Sequence, residues 1–366
     1  MRGSHKLRMG LFGANCSSGR YITTVPERWS ASWEDNLRMA QLADAAGLDF
    51  LLPIGRWKGY GGITDYSGTT LETITWATGL LAKTKRISCF GTVHVPLFHP
   101  LIAAKQMVTA DHVGEGRFGL NVVCGWNEDE FAMFGVDGKD HDGRYAQGQE
   151  WVEVVTRAWT EDDFDYHGTY YDLHGVREKP KPYGGTRPIL MNAGRSPQGR
   201  AFAVRNCDAL FTQPGNAGFD PVGLEAATNL LQQTRAMAAG VGRTIDLYTN
   251  GYVCCKPTLA QAQDYLRYVC EENADWPAID NMMGMRGLLD GLSPEDAERA
   301  RRRWATNSGG FSIVGDPDQV AEQFAAISRI GYTGIAFTLV HYADDLPYFA
   351  AEVLPRLEKL GVRSPS

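Results

Sequence analysis

The stretch Phe118 to Glu130, FGLNVVCGWNEDE, sets an amide, a thiol and an indole close together at Asn121, Cys124 and Trp126. Phe118 to Val123 reads as a buried strand, and an amide inside an apolar strand is costly unless something pairs with it. A ligand site at the strand's C-terminal end would account for both the amide and the thiol, glycine and indole that follow. Cys124 could act as a nucleophile only with a nearby base and a lowered pKa; otherwise it is a small apolar filler beside a ligand. A second chemical signal is NAGRSPQGR, Asn192 to Arg200. Glycine and serine at a strand-to-helix turn offer backbone N–H groups and a helix dipole to an anion, and Arg195 and Arg200 add charge. The alternative is a capped helix start with Ser196 as N-cap.

Other chemistries lack their residues. No GxSxG elbow is present. The nearest nicotinamide fingerprint, GVGRTI at 240–245, lacks its third glycine and follows a helix rather than a strand. His94, His99 and His112 have no metal-ligand spacing, and His112 reads as a packing or capping residue. No metal site is expected. The seven cysteines, Cys16, Cys89, Cys124, Cys207, Cys254, Cys255 and Cys270, contain no CxxC pair and point to a reduced, cytoplasmic setting.

Strand and helix signals alternate in the segments that must carry these residues. Strands are expected at 9–14, 50–54, 86–92, 118–123, 189–193, 209–212, 247–253 and 335–340. Helices are expected at 36–47, 71–83, 100–113, 144–159, 199–205, 224–239, 259–269, 318–330 and 347–360. Residues 160–187 read as an irregular insertion, and 273–312 as a second, helical one that could close as a lid. Apolar strands separated by helices imply a parallel sheet covered on both faces. At 366 residues a closed (β/α)8 TIM barrel with insertions is expected, forming one domain from 8 to 366. Residues 1–7, MRGSHKL, read as an added tail, because no apolar core of a signal peptide follows.

In such a barrel the active site lies at the C-terminal strand ends. Those ends carry Asn15 to Ser18, then Ile54, Gly55, Arg56, Trp57 and Lys58, then Thr92 to His94, then Asn121 to Trp126, then Asn192 to Arg200. The net charge of −7 argues against nucleic acid as a partner. The one basic run, Arg299 to Arg303, reads as a solvated helix face. No stretch approaches the roughly 18 apolar residues of a membrane span.

Several motifs in order resemble the bacterial-luciferase-like flavin monooxygenases, in the branch with pyrimidine oxygenase, dimethylsulfone monooxygenase and riboflavin lyase. They are LDFLLPIGRWKGYGG (48–62), GEGRFGLNVVCGW (114–126), HDGRY with Glu150, FDYHGTYYDL (164–173) with KPKP, NAGRSPQG (192–199) and IVGDPDQVAEQ. The resemblance implies a two-component enzyme in which a separate NAD(P)H:flavin reductase supplies reduced FMN. O2 then reacts on the ring to give a flavin peroxide that oxidises and cleaves a small substrate. It implies that Thr92 and Asn121 flank the oxygen, and that Gly55, Arg56, Asn121, Glu130, Arg144, Tyr145 and Ser196 bind FMN. It further implies a substrate pocket of Ile54, Trp57, Cys124 and Trp126, and a homo-oligomer, dimer or tetramer. A nitrogen heterocycle, pyrimidine-like or flavin-sized, suits the aromatics Trp57, Tyr60, Trp126, Tyr170 and Tyr171. Cys124, Ile54 and Arg56 depart from relatives at the substrate end. Alternatives are a sulfone or alkanesulfonate monooxygenase, an F420-dependent dehydrogenase and a non-catalytic flavin-binding protein.

Overall fold

The computed structural model describes residues 5–136, 140–213 and 217–364. From the N-terminus the elements are β1 (Arg8–Phe12), α1 (Trp33–Ala45), β2 (Phe50–Leu52), α2 (Thr73–Leu81), β3 (Ser88–His94), α3 (Pro100–Val113), β4 (Phe118–Val123) and α4 (Glu128–Met133). There follow α5 (His141–Thr160), β5 (Phe164–His167), β6 (Asp172–Val176), β7 (Ile189–Asn192), α6 (Pro197–Asn206), β8 (Ala209–Phe211) and α7 (Pro221–Gly240). The chain ends with β9 (Asp246–Cys255), α8 (Leu259–Arg267), α9 (Trp276–Met285), α10 (Pro294–Asn307), β10 (Phe311–Gly315), α11 (Pro317–Arg329), β11 (Gly334–Thr338), α12 (Tyr342–Glu352) and α13 (Leu354–Lys359).

Two compact units divide these elements. The first holds Glu72–Thr212 and Gln233–Leu247, and the second holds the segments to Leu71, Gln213–Gln232 and Tyr248 onward. In the first, β3, β4, β7 and β8 lie side by side and all run parallel. Their residues are almost wholly buried because helices such as α2, α3 and α5 cover them, as apolar parallel strands require. In the second, β2, β1, β11, β9 and β10 form the corresponding parallel set. Its core includes Phe324, Phe337 and Phe349, whose ring centroids lie 4.8–5.8 Å apart.

Three expectations need correction. The insertion at 160–187 is not irregular throughout, because β5 and β6 form an antiparallel hairpin. Glu150 on α5 organises its turn, accepting from the N–H groups of Thr169 (2.8 Å), Tyr170 (2.8 Å) and Tyr171 (3.3 Å). The insertion at 273–312 is helical over α9 and α10, as expected, but it ends in a strand. Phe311 to Gly315 pairs with β9, and its alternating burial makes it a half-covered strand that a search for wholly apolar runs passes over. Finally, Pro347 lies inside α12 instead of opening it. His341 caps that helix, with its Nδ1 accepting from Asp344 N at 3.3 Å.

The basic run is a paired helix face. Arg301 meets Asp280 at 2.6 and 2.8 Å, and Arg302 meets Glu298 at 2.9 Å. Among the described residues no helix is long and apolar enough to cross a membrane.

Candidate active site

In the first unit the parallel register of β3 and β4 sets Thr92 opposite Asn121. Asn121 Nδ2 donates to Thr92 Oγ1 at 3.4 Å, and both residues are buried. Thr92 is fixed from behind by Thr73 at the start of α2. The Thr73 hydroxyl accepts from Thr92 N at 3.0 Å and donates to its carbonyl at 2.7 Å. Asn121 Oδ1 is buried with no hydrogen-bond partner among the described residues. Such an unpaired buried acceptor costs about 1–3 kcal/mol, so the pair presents an open amide where a ligand's donor would relieve that cost.

Beyond β4 the chain turns at Gly125, whose φ is +104° and whose place no side chain could share: a Cβ there would stand 2.3 Å from the Phe131 ring. Asn127 caps α4, its Oδ1 accepting from Glu130 N at 3.4 Å, and Glu130 is buried on that helix. Burial pushes the Cys124 thiol up to about 12, against the pull of Arg144. A thiol so placed stays protonated at neutral pH, which removes the nucleophile reading. Cys124 instead packs on α5, with Sγ 2.6 Å from where a Cβ on Gly148 would be. Trp126 is half-buried.

After β7, Asn192 donates to the Val122 carbonyl at 2.6 Å and accepts from Gly194 N at 2.7 Å. Ser196 caps α6 and accepts from Gly199 N at 3.0 Å. The capped-helix reading is therefore correct, and two of the donors that a phosphate cradle would use are taken within the turn. The turn is also tightly packed. A Cβ on Gly199 would stand 2.5 Å from the Tyr145 hydroxyl, and one on Gly194 would stand 2.7 Å from Gly199 Cα. Burial raises the Tyr145 phenol's pKa, while its hydrogen bond with Ser196 pulls it down. Arg200 folds back on the turn, with Nη1 2.8 Å from the Arg195 carbonyl, and its Nε is buried with no partner among the described residues.

In the second unit the loop after β2 carries Ile54, Gly55, Arg56 and Trp57. Asn15, fully buried after β1, clamps it: Asn15 Nδ2 donates to the Ile54 carbonyl at 2.9 Å, and Ile54 N donates to Asn15 Oδ1 at 2.9 Å. Arg56 is buried with its guanidinium 4.7 Å from the Tyr60 ring, whereas Trp57 is 37% exposed. The first unit thus brings together Thr92 with Asn121, Arg144 with Cys124, and Tyr145 with Ser196.

Residues 7–334 match the luciferase-like monooxygenases. The chain belongs to that family. It is 28% identical to an FMNH(2)-dependent dimethylsulfone monooxygenase of Pseudomonas putida, over 98% of this chain and 97% of that protein. It is 31% identical to the pyrimidine monooxygenase RutA of Bradyrhizobium sp., over 97% and 98%. The crystal structure of a riboflavin lyase with modified FMN and riboflavin superposes with a TM-score of 0.86 at 23% identity, covering 97% of this chain and 92% of that one. The fold is accordingly the luciferase-like (β/α)8 barrel that the alternation of elements implied, with β10 as an extra strand beside β9.

The remaining polar and aromatic groups of this luciferase-like monooxygenase find partners within the protein itself. His99 caps α3 through Nδ1, which accepts from Leu101 N at 3.3 Å. His112 Nε2 lies 2.8 Å from the Lys181 carbonyl, so His112 packs as expected. Tyr171 takes a hydrogen bond from Gln147 at 3.1 Å, and Tyr60 stacks on Tyr66 at 5.9 Å. Those two aromatics are built into the protein's own packing. A cluster that the sequence did not suggest, Asp165, His167 and His174, is exposed on the β5–β6 hairpin. Sequence reasoning also missed Arg20, a turn residue in SSGRY with nothing around it to say that its side chain folds inward.

Proposed function

We propose that this luciferase-like monooxygenase is the oxygenase of a two-component system. It takes reduced FMN from a separate NAD(P)H:flavin reductase and uses O2 to oxidise and cleave a small molecule, a nitrogen heterocycle in preference. The observation that carries this reading is the buried Asn121 amide, with its acceptor end open beside Thr92, each two residues before the end of its parallel strand. A catalytic flavin ring offers the N–H that such an amide lacks, whereas a packing role would leave the acceptor's cost standing. The turn at Gly194 and Gly199, packed against Tyr145 and capped by Ser196, is the segment we assign to the flavin's phosphate end. Glu130 and Arg144 complete the proposed ribityl and phosphate contacts.

Bound there, reduced FMN would supply the electrons that activate O2. The chain's own task is orientation and dryness. Asn121 holds the ring edge. Thr92 Oγ1 accepts from Asn121 and sets the hydroxyl beside the open amide oxygen, where the proposed chemistry on O2 would take place. Cys124, protonated and buried, fills space and keeps water out, and Trp126 stands beside it to face the substrate. The similarity to a dimethylsulfone monooxygenase supports a second reading, oxidation at or beside sulfur.

The test mixes the protein anaerobically with FMNH2 and uracil, riboflavin or dimethylsulfone, then adds isotopically labelled O2. Mass spectrometry should find label or a cleaved ring in the heterocycle products. Label only in the sulfone product would move the chain to the second reading. Flavin oxidation to hydrogen peroxide in every mixture would refute both substrate classes, and reduced F420 would then be titrated in place of FMNH2.

A further inference from the structure

The turn after β1 bends Arg20 back over the strand it has just left. Its guanidinium carbon lies 5.4 Å from the Phe12 ring centroid, and its side-chain carbons pack 3.2 Å from where a Cβ on Gly13 would stand. Tyr60, Tyr66, Tyr252 and Tyr342 surround the guanidinium, and among the described residues no carboxylate pairs with it. Other arginines of this unit show the contrast: Arg301 has Asp280, and Arg356 has Asp318. The tyrosines do not neutralise the charge, because burial pushes a phenol such as Tyr66 well above its ordinary range and keeps it uncharged. Aromatic faces attract a cation by about 0.5–2 kcal/mol but leave its charge unbalanced. A desolvated cation without a counter-ion is disfavoured unless something arrives to pair it.

A second observation points the same way. The Tyr252 hydroxyl abuts the guanidinium, is buried, and has no well-formed hydrogen bond among the described residues. Arginine cannot accept a proton in hydrogen bonding, so the Tyr252 O–H has nothing beside it to donate to. Arg20 Nε is likewise buried without a partner. The guanidinium and the Tyr252 hydroxyl thus sit together at a point where neither Arg20 Nε nor the hydroxyl has an acceptor among the described residues. That point lies where ligands bind in a parallel barrel. Phe12 ends β1, Tyr60 follows β2, and Tyr252 sits in β9 opposite Thr338, the last residue of β11.

We propose that Arg20 and Tyr252 anchor an acidic group, a carboxylate or sulfonate, on the molecule that the enzyme oxidises. This rests on the reading of the chain as an oxygenase of small substrates, and it narrows their class to organic acids.

The experiment is calorimetric titration of the whole chain with matched pairs: orotate against uracil, and methanesulfonate against dimethylsulfone. The acid of a pair should bind at least about tenfold tighter than its neutral partner, the scale of one charge-assisted hydrogen bond. Arg20→Gln should abolish that preference, and Arg20→Lys should keep part of it. Tyr252→Phe should weaken the acid several-fold and leave the neutral molecule unchanged. FMN affinity, followed by its absorbance, should stay constant across all three variants. If Arg20→Gln fails to fold, the Tyr252→Phe comparison decides. Equal binding of acid and neutral partner, no acid binding, or acid preference surviving both Arg20→Gln and Tyr252→Phe would overturn the proposal. Acid preference in a protein that neither binds FMNH2 nor consumes O2 would instead sink the oxygenase reading and leave the anion site standing.

Discussion

At Asn121 the chemistry rests on one oxygen atom. Its partner Thr92 is locked through the backbone by Thr73, so the pair cannot relax to satisfy itself. Asn121→Ala should therefore lower product formation by about a hundredfold, the scale of losing one preorganised hydrogen-bonding group from an active site. FMN affinity should fall by about fivefold, the worth of one hydrogen bond. Single-turnover rates beside flavin titration would separate the two, and unchanged turnover would remove Asn121 from the mechanism. Cys124 sits close in sequence yet takes no part in the chemistry, because burial holds its thiol protonated.

At the scale of elements, the α6 turn and the β5–β6 hairpin depend on single close approaches. Gly199→Ala would drive a methyl to within 2.5 Å of the Tyr145 hydroxyl and 2.8 Å of Gly194 Cα. Overpacking of that kind costs about 1–3 kcal/mol, and it would fall on the proposed phosphate end. A rise in the FMN dissociation constant of about tenfold is expected, with a lowered Tm; unaltered binding would place the phosphate elsewhere. Glu150→Gln turns one of the oxygens that hold the hairpin turn into a donor facing other donors. The expected result is faster proteolytic cleavage near 167–171 with FMN binding intact, and equal cleavage in both proteins would show that other contacts hold the turn.

The whole molecule carries its cysteines as free thiols, most of them buried. Burial pushes Cys124, Cys254 and Cys255 up to about 12, from an ordinary value of 9.0. Below pH 9 the folded and unfolded chains hold these protons alike. Above it the unfolded chain releases them and the folded one does not, so stability should fall progressively between about pH 9 and 12. Thermal melts across that range check the sign; a flat Tm would mean that the thiols are not shielded.

Much of this molecule could be read from its sequence. The eight barrel strands were legible because each carries a buried apolar run that alternates with helices, and Asn121 because an amide breaks such a run. β10 was not, since only alternate residues are buried. Arg20 was not either, and Glu150 stood out as a motif residue but not as the holder of a hairpin turn, because such roles come from where a turn or helix aims a common charged side chain. The N-terminus of α12 was misplaced because a proline signals a helix start without requiring one.

The open Asn121 acceptor has a consequence outside catalysis. On the proposed reading the unliganded chain folds around an unsatisfied group, and filling it adds stability as RT ln(1 + [L]/Kd). Protein lifetime would then track cofactor supply: a cell short of FMN would clear this chain faster than one well supplied. Pulse proteolysis at graded FMN should show a smaller cleaved fraction as FMN rises, and Asn121→Ala should need about fivefold more FMN for the same protection; a cleaved fraction that ignores FMN would refute the link.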